Sequence, residues 1–152
     1  MLKLHEEKVL PYSHEELFNL VLDVESYHTF LPFCISSKKI SGSLESGQIM
    51  AEVGVKFGFT TNNYTSLIKP RYDNKGAHID IIALTGPFKH LRSTWDFTPV
   101  KNGTNVSFSL DFEFDSLILN KMMSGYLKEA YAKMMNAFEE RARSVYAKNS
   151  VA

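Results

Sequence analysis

Apolar and polar positions follow two different rhythms along this chain, and the rhythm changes near residue 35. Leu4 to Leu10 reads as a short opening strand that Pro11 ends. Ser13-His14-Glu15-Glu16 then has capping-box spacing, with the Ser13 hydroxyl placed to accept an orphan amide and Glu16 to reach back. Leu17, Phe18, Leu20, Val21 and Leu22 supply the apolar face of the helix that follows. A second short helical piece is expected from Val24 to Phe30, closed by Pro32.

Beyond Ile35 the repeat becomes two. Ile49, Ala51, Val53, Val55 and Phe57 alternate with Met50, Glu52, Gly54 and Lys56, and Gly58 marks a turn. Thr60 to Ile68 makes the next strand, closed by Pro70, and His78 to Ile81 another, stopped at Gly86-Pro87. Leu91, Ser93, Trp95 and Phe97 share one face of a strand over Lys89–Phe97. Asn102-Gly103 signals a tight hairpin, after which Val106, Phe108, Leu110, Phe112 and Phe114 alternate with polar residues. These strands predict an antiparallel meander with one wet and one apolar face. The chain then reads as a single long helix over roughly Ser116 to Tyr146, free of Pro and of turn clusters. Leu119, Met122, Met123, Tyr126, Leu127, Ala130, Met134, Ala137 and Phe138 fall in one stripe of it. The parts predict an α+β domain over residues 1–152, a strongly curved sheet wrapped around the terminal helix.

Composition narrows the functional classes. Lys plus Arg and Asp plus Glu are both 17, so no basic excess favours nucleic acid, and DNA is not an expected partner. A single Cys excludes an internal disulfide framework and a cysteine-rich zinc site. The first eleven residues lack the apolar core of a secretory signal, and no apolar run is long enough to span a bilayer. A cytoplasmic protein, peripheral at the inner membrane, is the expectation. The 11 Phe and 7 Tyr against one Trp leave two readings open. They fill a core, or they line an apolar pocket left between sheet and helix.

Candidate chemistry is sparse. The five His are scattered, no H-E-x-x-H, C-x-x-C or G-x-S-x-G is present, and neither a metal site nor a catalytic nucleophile is expected. Cys34 reads as a small buried hydrophobe beside a turn. Asp80, Asp96, Asp111 and Glu113 read as solvated charges on polar strand phases, and Arg141 as a side chain snorkelling from the helix stripe. Proton handling inside a pocket would fall to Ser93, Ser66 or Tyr64, none with an evident activating partner.

Several blocks, in order, carry a family resemblance. Asp23-Val24-Glu25-Ser26-Tyr27-His28-Thr29-Phe30-Leu31-Pro32-Phe33-Cys34 closely resembles the D-V-x-x-Y-x-x-F-L/V-P-W-C block of the coenzyme Q-binding protein family. Tyr64-Thr65-Ser66, Gly86-Pro87-Phe88-Lys89-His90-Leu91, Trp95-Asp96-Phe97-Thr98-Pro99, Phe112-Glu113-Phe114 and Ala137–Ala142 resemble its later strands and final helix. Phe33 stands where many members have Trp, keeping the ring and losing an indole donor. Thr60-Thr61-Asn62-Asn63 stands where many carry a basic residue.

The resemblance implies a START-like helix-grip fold of the polyketide cyclase/dehydrase superfamily. In that fold a curved antiparallel sheet of about seven strands wraps a long C-terminal helix, with two short helices after the first strand. It further implies a non-enzymatic carrier with no cofactor, holding ubiquinone as cargo and supporting respiratory electron transport through a membrane surface or respiratory complex. Phase and resemblance together nominate Val53, Val55, Trp95, Phe97, Phe108, Leu110, Phe112, Met123, Leu127 and Met134 as inward residues. Tyr27, Phe30, Pro32 and Phe33 would stand at the mouth, and Pro87 and Phe88 in a gating loop. Bacterial relatives of this group called ribosome-association toxins imply an alternative, binding to the large ribosomal subunit and inhibition of translation initiation. A polyketide cyclase-like enzyme is the second alternative.

Overall fold

A computed structural model describes residues 1–57 and 60–150, with side chains described through residue 146 except that of Phe57. Seven strands form one antiparallel sheet in the order β1-β7-β6-β5-β4-β3-β2. They are β1 Leu2–Leu10, β2 Cys34–Ser43, β3 Gln48–Phe57, β4 Thr60–Asp73, β5 Gly76–Ala83, β6 Phe88–Val100 and β7 Gly103–Phe114. Only β1 breaks the meander, crossing to pair with β7 from Leu2↔Phe112 to Leu10↔Thr104. The crossing segment carries helix α1, His14–Leu22, and a 3-10 helix, Val24–Thr29.

The capping box forms as the spacing predicts: Glu16 N donates to Ser13 Oγ at 3.1 Å, and Ser13 N to Glu16 Oε1 at 3.0 Å. Leu17, Phe18, Leu20 and Val21 then bury one face of α1. The piece that follows is a 3-10 helix ending one residue before Phe30, so Phe30 is free to turn its ring into the core. The Asn-Gly hairpin forms one residue early. Val100 pairs with Gly103, leaving Lys101-Asn102 as the loop with Asn102 at φ 68°. Gly103 instead permits close approach, because a Cβ there would lie 2.2 Å from the Leu10 carbonyl oxygen on β1.

The alternating runs are inward as expected, with Ile49, Ala51, Val53, Trp95, Phe97, Val106, Phe108, Phe112 and Phe114 all buried. Two elements depart from the sequence pattern. Strand β2 shows no two-residue repeat because it is a sheet edge, bulged between Cys34 and Ser36 and between Lys39 and Ser41, with Ile35 and Ile40 exposed. The expected single terminal helix is two helices, α2 Leu117–Ser124 and α3 Leu127–Ser150. The break falls at Gly125, the poorest helix former in the stretch, next to Ser124, whose Oγ donates to the Lys121 carbonyl at 2.8 Å. Asn120 clamps α2 to β7 by accepting from Phe114 N at 2.7 Å and donating to Phe114 O at 3.1 Å. The break uncouples the two helical phases. Met122, placed in the inward stripe by sequence, is exposed, whereas Met135, Phe138 and Ala142 of α3 are buried. The turn expected at Gly58 lies outside the described residues.

Aromatic rings join the layers. Phe18 meets Phe97 edge-on at 6.3 Å, Phe97 stacks on Trp95 at 6.0 Å, and Trp95 meets Phe138 of α3 at 5.5 Å. Phe138 in turn takes the edges of Phe30 at 5.3 Å and Tyr27 at 5.7 Å. Arg141 is partly exposed, and its guanidinium lies 5.4 Å from the Phe30 ring centroid as a cation–π contact. On the outer face His78, 6% exposed, holds two carboxylates, Asp96 Oδ1 at 2.5 Å from Nδ1 and Asp73 Oδ1 at 2.9 Å from Nε2. Arg71 Nε donates to Asp80 at 2.8 Å beside them. Asp80 and Asp96 are therefore paired rather than merely solvated. A neutral imidazole has one N–H, so serving both acceptors needs the imidazolium. Burial opposes that charge, but the Asp73 and Asp96 carboxylates outweigh it and hold His78 above its ordinary value. The same contact, led by the His78 hydrogen bond, pulls Asp73 below the usual carboxylate range.

Two outcomes follow from this packing. Phe138→Ala removes the ring shared by Trp95, Tyr27 and Phe30, and is expected to lower unfolding free energy by about 3–5 kcal/mol in urea titration. The His78 contribution to stability is complete below its unfolded value of about 6.5 and disappears as pH rises through the raised folded value. Asp73 works in the opposite sense, contributing above about 3.9 and fading as pH falls through its lowered folded value. The urea midpoint should therefore fall between about pH 6 and 8 in the natural protein, and His78→Gln should flatten that slope.

Candidate functional site

A cavity of about 270 Å³ lies between the concave face of the sheet and α3. Each wall follows from strand alternation or helix phase. The sheet side presents Val53 and Val55 of β3, Tyr64 of β4, Ile81 of β5, Ser93 and Trp95 of β6, and Phe108 and Leu110 of β7. Helix α3 closes it with Leu127, Ala130, Tyr131, Met134 and Phe138. The segment after the 3-10 helix contributes Tyr27, Leu31, Pro32 and Phe33, followed by Cys34. None of the described lining residues is acidic, basic or histidine.

Ten of the sequence-nominated residues come together here: Tyr27, Pro32, Phe33, Val53, Val55, Trp95, Phe108, Leu110, Leu127 and Met134. Six do not line it. Phe30 packs on Phe138 and Arg141. Phe97 is fully buried behind Trp95, against Phe18. Pro87 and Phe88 were expected in a gating loop, yet Phe88 is half-buried, stacked on Phe114 at 5.1 Å and edge-on to Tyr64 at 5.4 Å. Phe112 joins that same cluster, 5.4 Å from Phe114. Met123 lies in a second, outer pocket. The rings of Phe88, Phe112 and Phe114 thus wall off one end of the sheet.

The outer pocket, about 200 Å³, is bounded by Phe33, Lys56, Phe114, Leu119, Met122, Met123 and Tyr126. Phe33 belongs to both spaces, and its ring meets Tyr126 edge-on at 6.2 Å. Helix α2 forms the lip. Its Leu117, Ile118 and Met122 are 83%, 74% and 60% exposed. Sequence phase read this helix as an inward continuation of α3, so the bare lip was hidden by the unrecognised break at Gly125.

Burial governs the polar groups of the inner wall. Tyr27 donates to the Val21 carbonyl, and burial, followed by Tyr64, Asp23 and Cys34, drives its phenol far above the ordinary range. Burial, with a smaller push from Cys34, raises Tyr64 to about 12. The Cys34 thiol donates to the Ser36 carbonyl at 3.2 Å, and burial pushes it up against the lowering effect of Ser36 and Ser37. The wall is therefore neutral and protonated at pH 7. Strand phase already puts Leu91 and Ser93 on the Trp95 face and Ser93 and Tyr64 near a pocket, although none is nominated as a ligand contact; Ile81 shares a face with Ile79 that alternation also makes readable. Tyr131, four residues after Leu127 and three before Met134, lies within the α3 stripe and is readable by the same phase. Among the described residues no group of His, Cys, Asp and Glu has the arrangement of a metal site, and no helix is long and apolar enough to cross a membrane.

Comparison with known proteins agrees with this architecture. Residues 10–139 match the family described as polyketide cyclase / dehydrase and lipid transport. The ribosome association toxin RatA of Rickettsia prowazekii is 36% identical over 146 residues, covering 95% of this chain and 99% of that protein. The mitochondrial coenzyme Q-binding protein COQ10 homolog B of Xenopus laevis is 32% identical over 96% of this chain and 60% of its own length. An 18 kDa protein from Caulobacter crescentus superposes with a TM-score of 0.77 at 32% identity, over 97% of this chain and 99% of that one. The Zhui aromatase/cyclase from Streptomyces reaches 0.79 at 16% identity, over 96% and 97%, which shows the shared helix-grip fold. On the family match and on relatives above 30% identity along nearly its whole length, the chain belongs to the polyketide cyclase/dehydrase and lipid transport family.

Proposed function

We propose that this protein is a non-enzymatic carrier that binds ubiquinone and delivers it for respiratory electron transport. The observation that carries the reading is the neutral apolar cavity under α3, which shares Phe33 with an outer pocket beneath a bare apolar lip. The family's lipid-transport description and the coenzyme Q-binding name of the Xenopus relative support it. A cavity of about 150 Å³ accepts benzene, so 270 Å³ suits one substituted ring rather than a ring with its whole tail. The tail would leave by way of Phe33 and the outer pocket. Apolar burial, at roughly 25 cal/mol per Å², supplies the binding energy less the cost of association.

A carrier needs no proton handling, and the raised Tyr27, Tyr64 and Cys34 leave the inner wall without a base at neutral pH. The cyclase reading has the fold in its favour and lacks that group. The carrier would work in the cytoplasm and visit the inner membrane, where Leu117, Ile118 and Met122 of α2 would dip among lipids beside Lys121. The second reading, a ribosome-binding inhibitor of translation initiation, is favoured by the Rickettsia relative. Of the basic residues on the terminal helices, however, Arg141 is engaged by Phe30 and Lys133 by Tyr126 at 2.8 Å.

Protein purified from a quinone-producing host is expected to yield quinone on solvent extraction, and added ubiquinone to quench Trp95 and raise the melting temperature. An empty chain that gains nothing from ubiquinone, yet co-sediments with large ribosomal subunits in a salt-sensitive way, would replace this reading with the second. Leu117→Ser with Ile118→Ser is expected to slow quinone transfer between liposomes severalfold. The melting temperature should stay within about a degree, since both side chains are already exposed.

A further inference from the structure

On the sheet side of the inner wall, two hydroxyls have no hydrogen-bond partner among the described residues. Ser93 is 6% exposed, lies on the inward face of β6 between Leu91 and Trp95, and its hydroxyl has no hydrogen-bond partner among the described residues. Tyr64 on β4 packs its ring against Phe88, and its hydroxyl also lacks a partner among them. Other polar groups of this region are spoken for: Tyr27 by Val21, Cys34 by Ser36, and Ser66 by the Ala51 carbonyl at 3.5 Å. On the helix side Tyr131 stacks on Phe108, and its hydroxyl, though influenced by Glu6 and Glu139, likewise makes no hydrogen bond among the described residues. Two residues before Tyr64, in the same strand phase, Asn62 Nδ2 is buried and unpartnered too. Donors left without an acceptor in a protein interior are rare, and Ser93 and Tyr64, which both line this apolar cavity, call for an acceptor from outside the chain.

The chemistry of that acceptor is constrained. The wall carries no cationic side chain to offset a carboxylate or phosphate, and no anionic one to hold an amine. The Tyr64 phenol, raised by burial, keeps its proton and donates. A neutral carbonyl or ether oxygen fits. The register gives the spacing: Ser93 faces Ile81, which faces Ile68, and Tyr64 stands four residues along β4 from Ile68. With strands about 4.8 Å apart and a rise of about 3.3 Å per residue, the two Cα atoms are about 16 Å apart before the side chains reach inward. The Tyr64 ring reaches across the sheet toward Phe88, so the distance that remains to Ser93 runs mainly along the strands and is of the order of a six-membered ring with an oxygen and a hydrogen bond at each end. Tyr64 stands toward the Phe33 end of β4, because Thr61 pairs with Lys56, whose N–H donates to Phe33 O at 2.9 Å.

We propose that the Tyr64 and Ser93 hydroxyls donate hydrogen bonds to the two carbonyl oxygens of the ligand's ring, seating the head between β4 and β6 with its tail toward Phe33. This rests on the carrier reading and adds to it the atoms that recognise the head. It makes the cavity selective for an oxygenated ring over a hydrocarbon of the same shape.

The test uses the full chain with decylubiquinone and with decylbenzene, which shares ring and tail but lacks oxygens, following Trp95 fluorescence and competition. Tyr64→Phe and Ser93→Ala each delete one hydroxyl, and melting temperatures check that both variants fold. Each is expected to weaken decylubiquinone about three- to tenfold, and the double variant by about the product, with decylbenzene unchanged. Natural protein that binds decylubiquinone, with variants that bind it equally well, would overturn the head assignment and leave the carrier standing. Equal losses for both ligands would make the side chains mere packing and overturn it as well. Natural protein that binds neither ligand would remove the carrier reading, and this assignment with it.

Discussion

One helix cannot fill the concave side of a seven-stranded sheet. Seven strands spaced about 4.8 Å apart make a sheet about 29 Å wide, whereas a helix with its side chains is about 10 Å across. Helix α1 covers part of the difference, burying Phe18 against Phe97. Helix α3 is held over another part by Phe138, wedged among Trp95, Tyr27 and Phe30. The space beside Phe138 is roofed by Leu127, Ala130, Tyr131 and Met134 without being filled, and it persists as the cavity. The aromatic wedge thus both fastens the helix and fixes how far it stands from the sheet.

The large aromatic count answers both of the readings open at the start. Phe18, Phe97, Phe112 and Phe114 are packing residues with almost no exposed surface. Tyr27, Phe33, Tyr64 and Phe108 turn toward empty space. Trp95 does both, stacked on Phe97 at its back and facing the cavity in front. On β6 the packing ring and the ring that shapes the space, Phe97 and Trp95, stand two residues apart on one strand face.

How much of this the sequence disclosed depended on whether a residue's role was local. Capping by Ser13 and Glu16 and the inward phases of β3, β6 and β7 are set by neighbours within a few positions, and all were readable. Strand β2 was not, because a bulged edge obeys no period. Helix continuity failed at Gly125, where a modest propensity penalty decides between one element and two and the clamp from Asn120 to Phe114 tips it. Phe88 illustrates a different failure. A Gly-Pro-Phe turn looks like a hinge with an apolar plug, and only three-dimensional proximity reveals that Phe114 and Tyr64 already hold the ring. Ser93 and Tyr64 were visible as inward hydroxyls, but that neither has a hydrogen-bond partner among the described residues is a fact about the whole assembly of strands.

The lone thiol has its own significance. Cys34 lines the same space as Tyr64 and Trp95, yet its proton is held by burial and directed to the Ser36 carbonyl. A thiolate adds readily to electron-poor rings, whereas a protonated thiol does so poorly. A wall built this way can hold an electrophilic molecule without being alkylated by it, and so release the molecule chemically intact and remain available for the next.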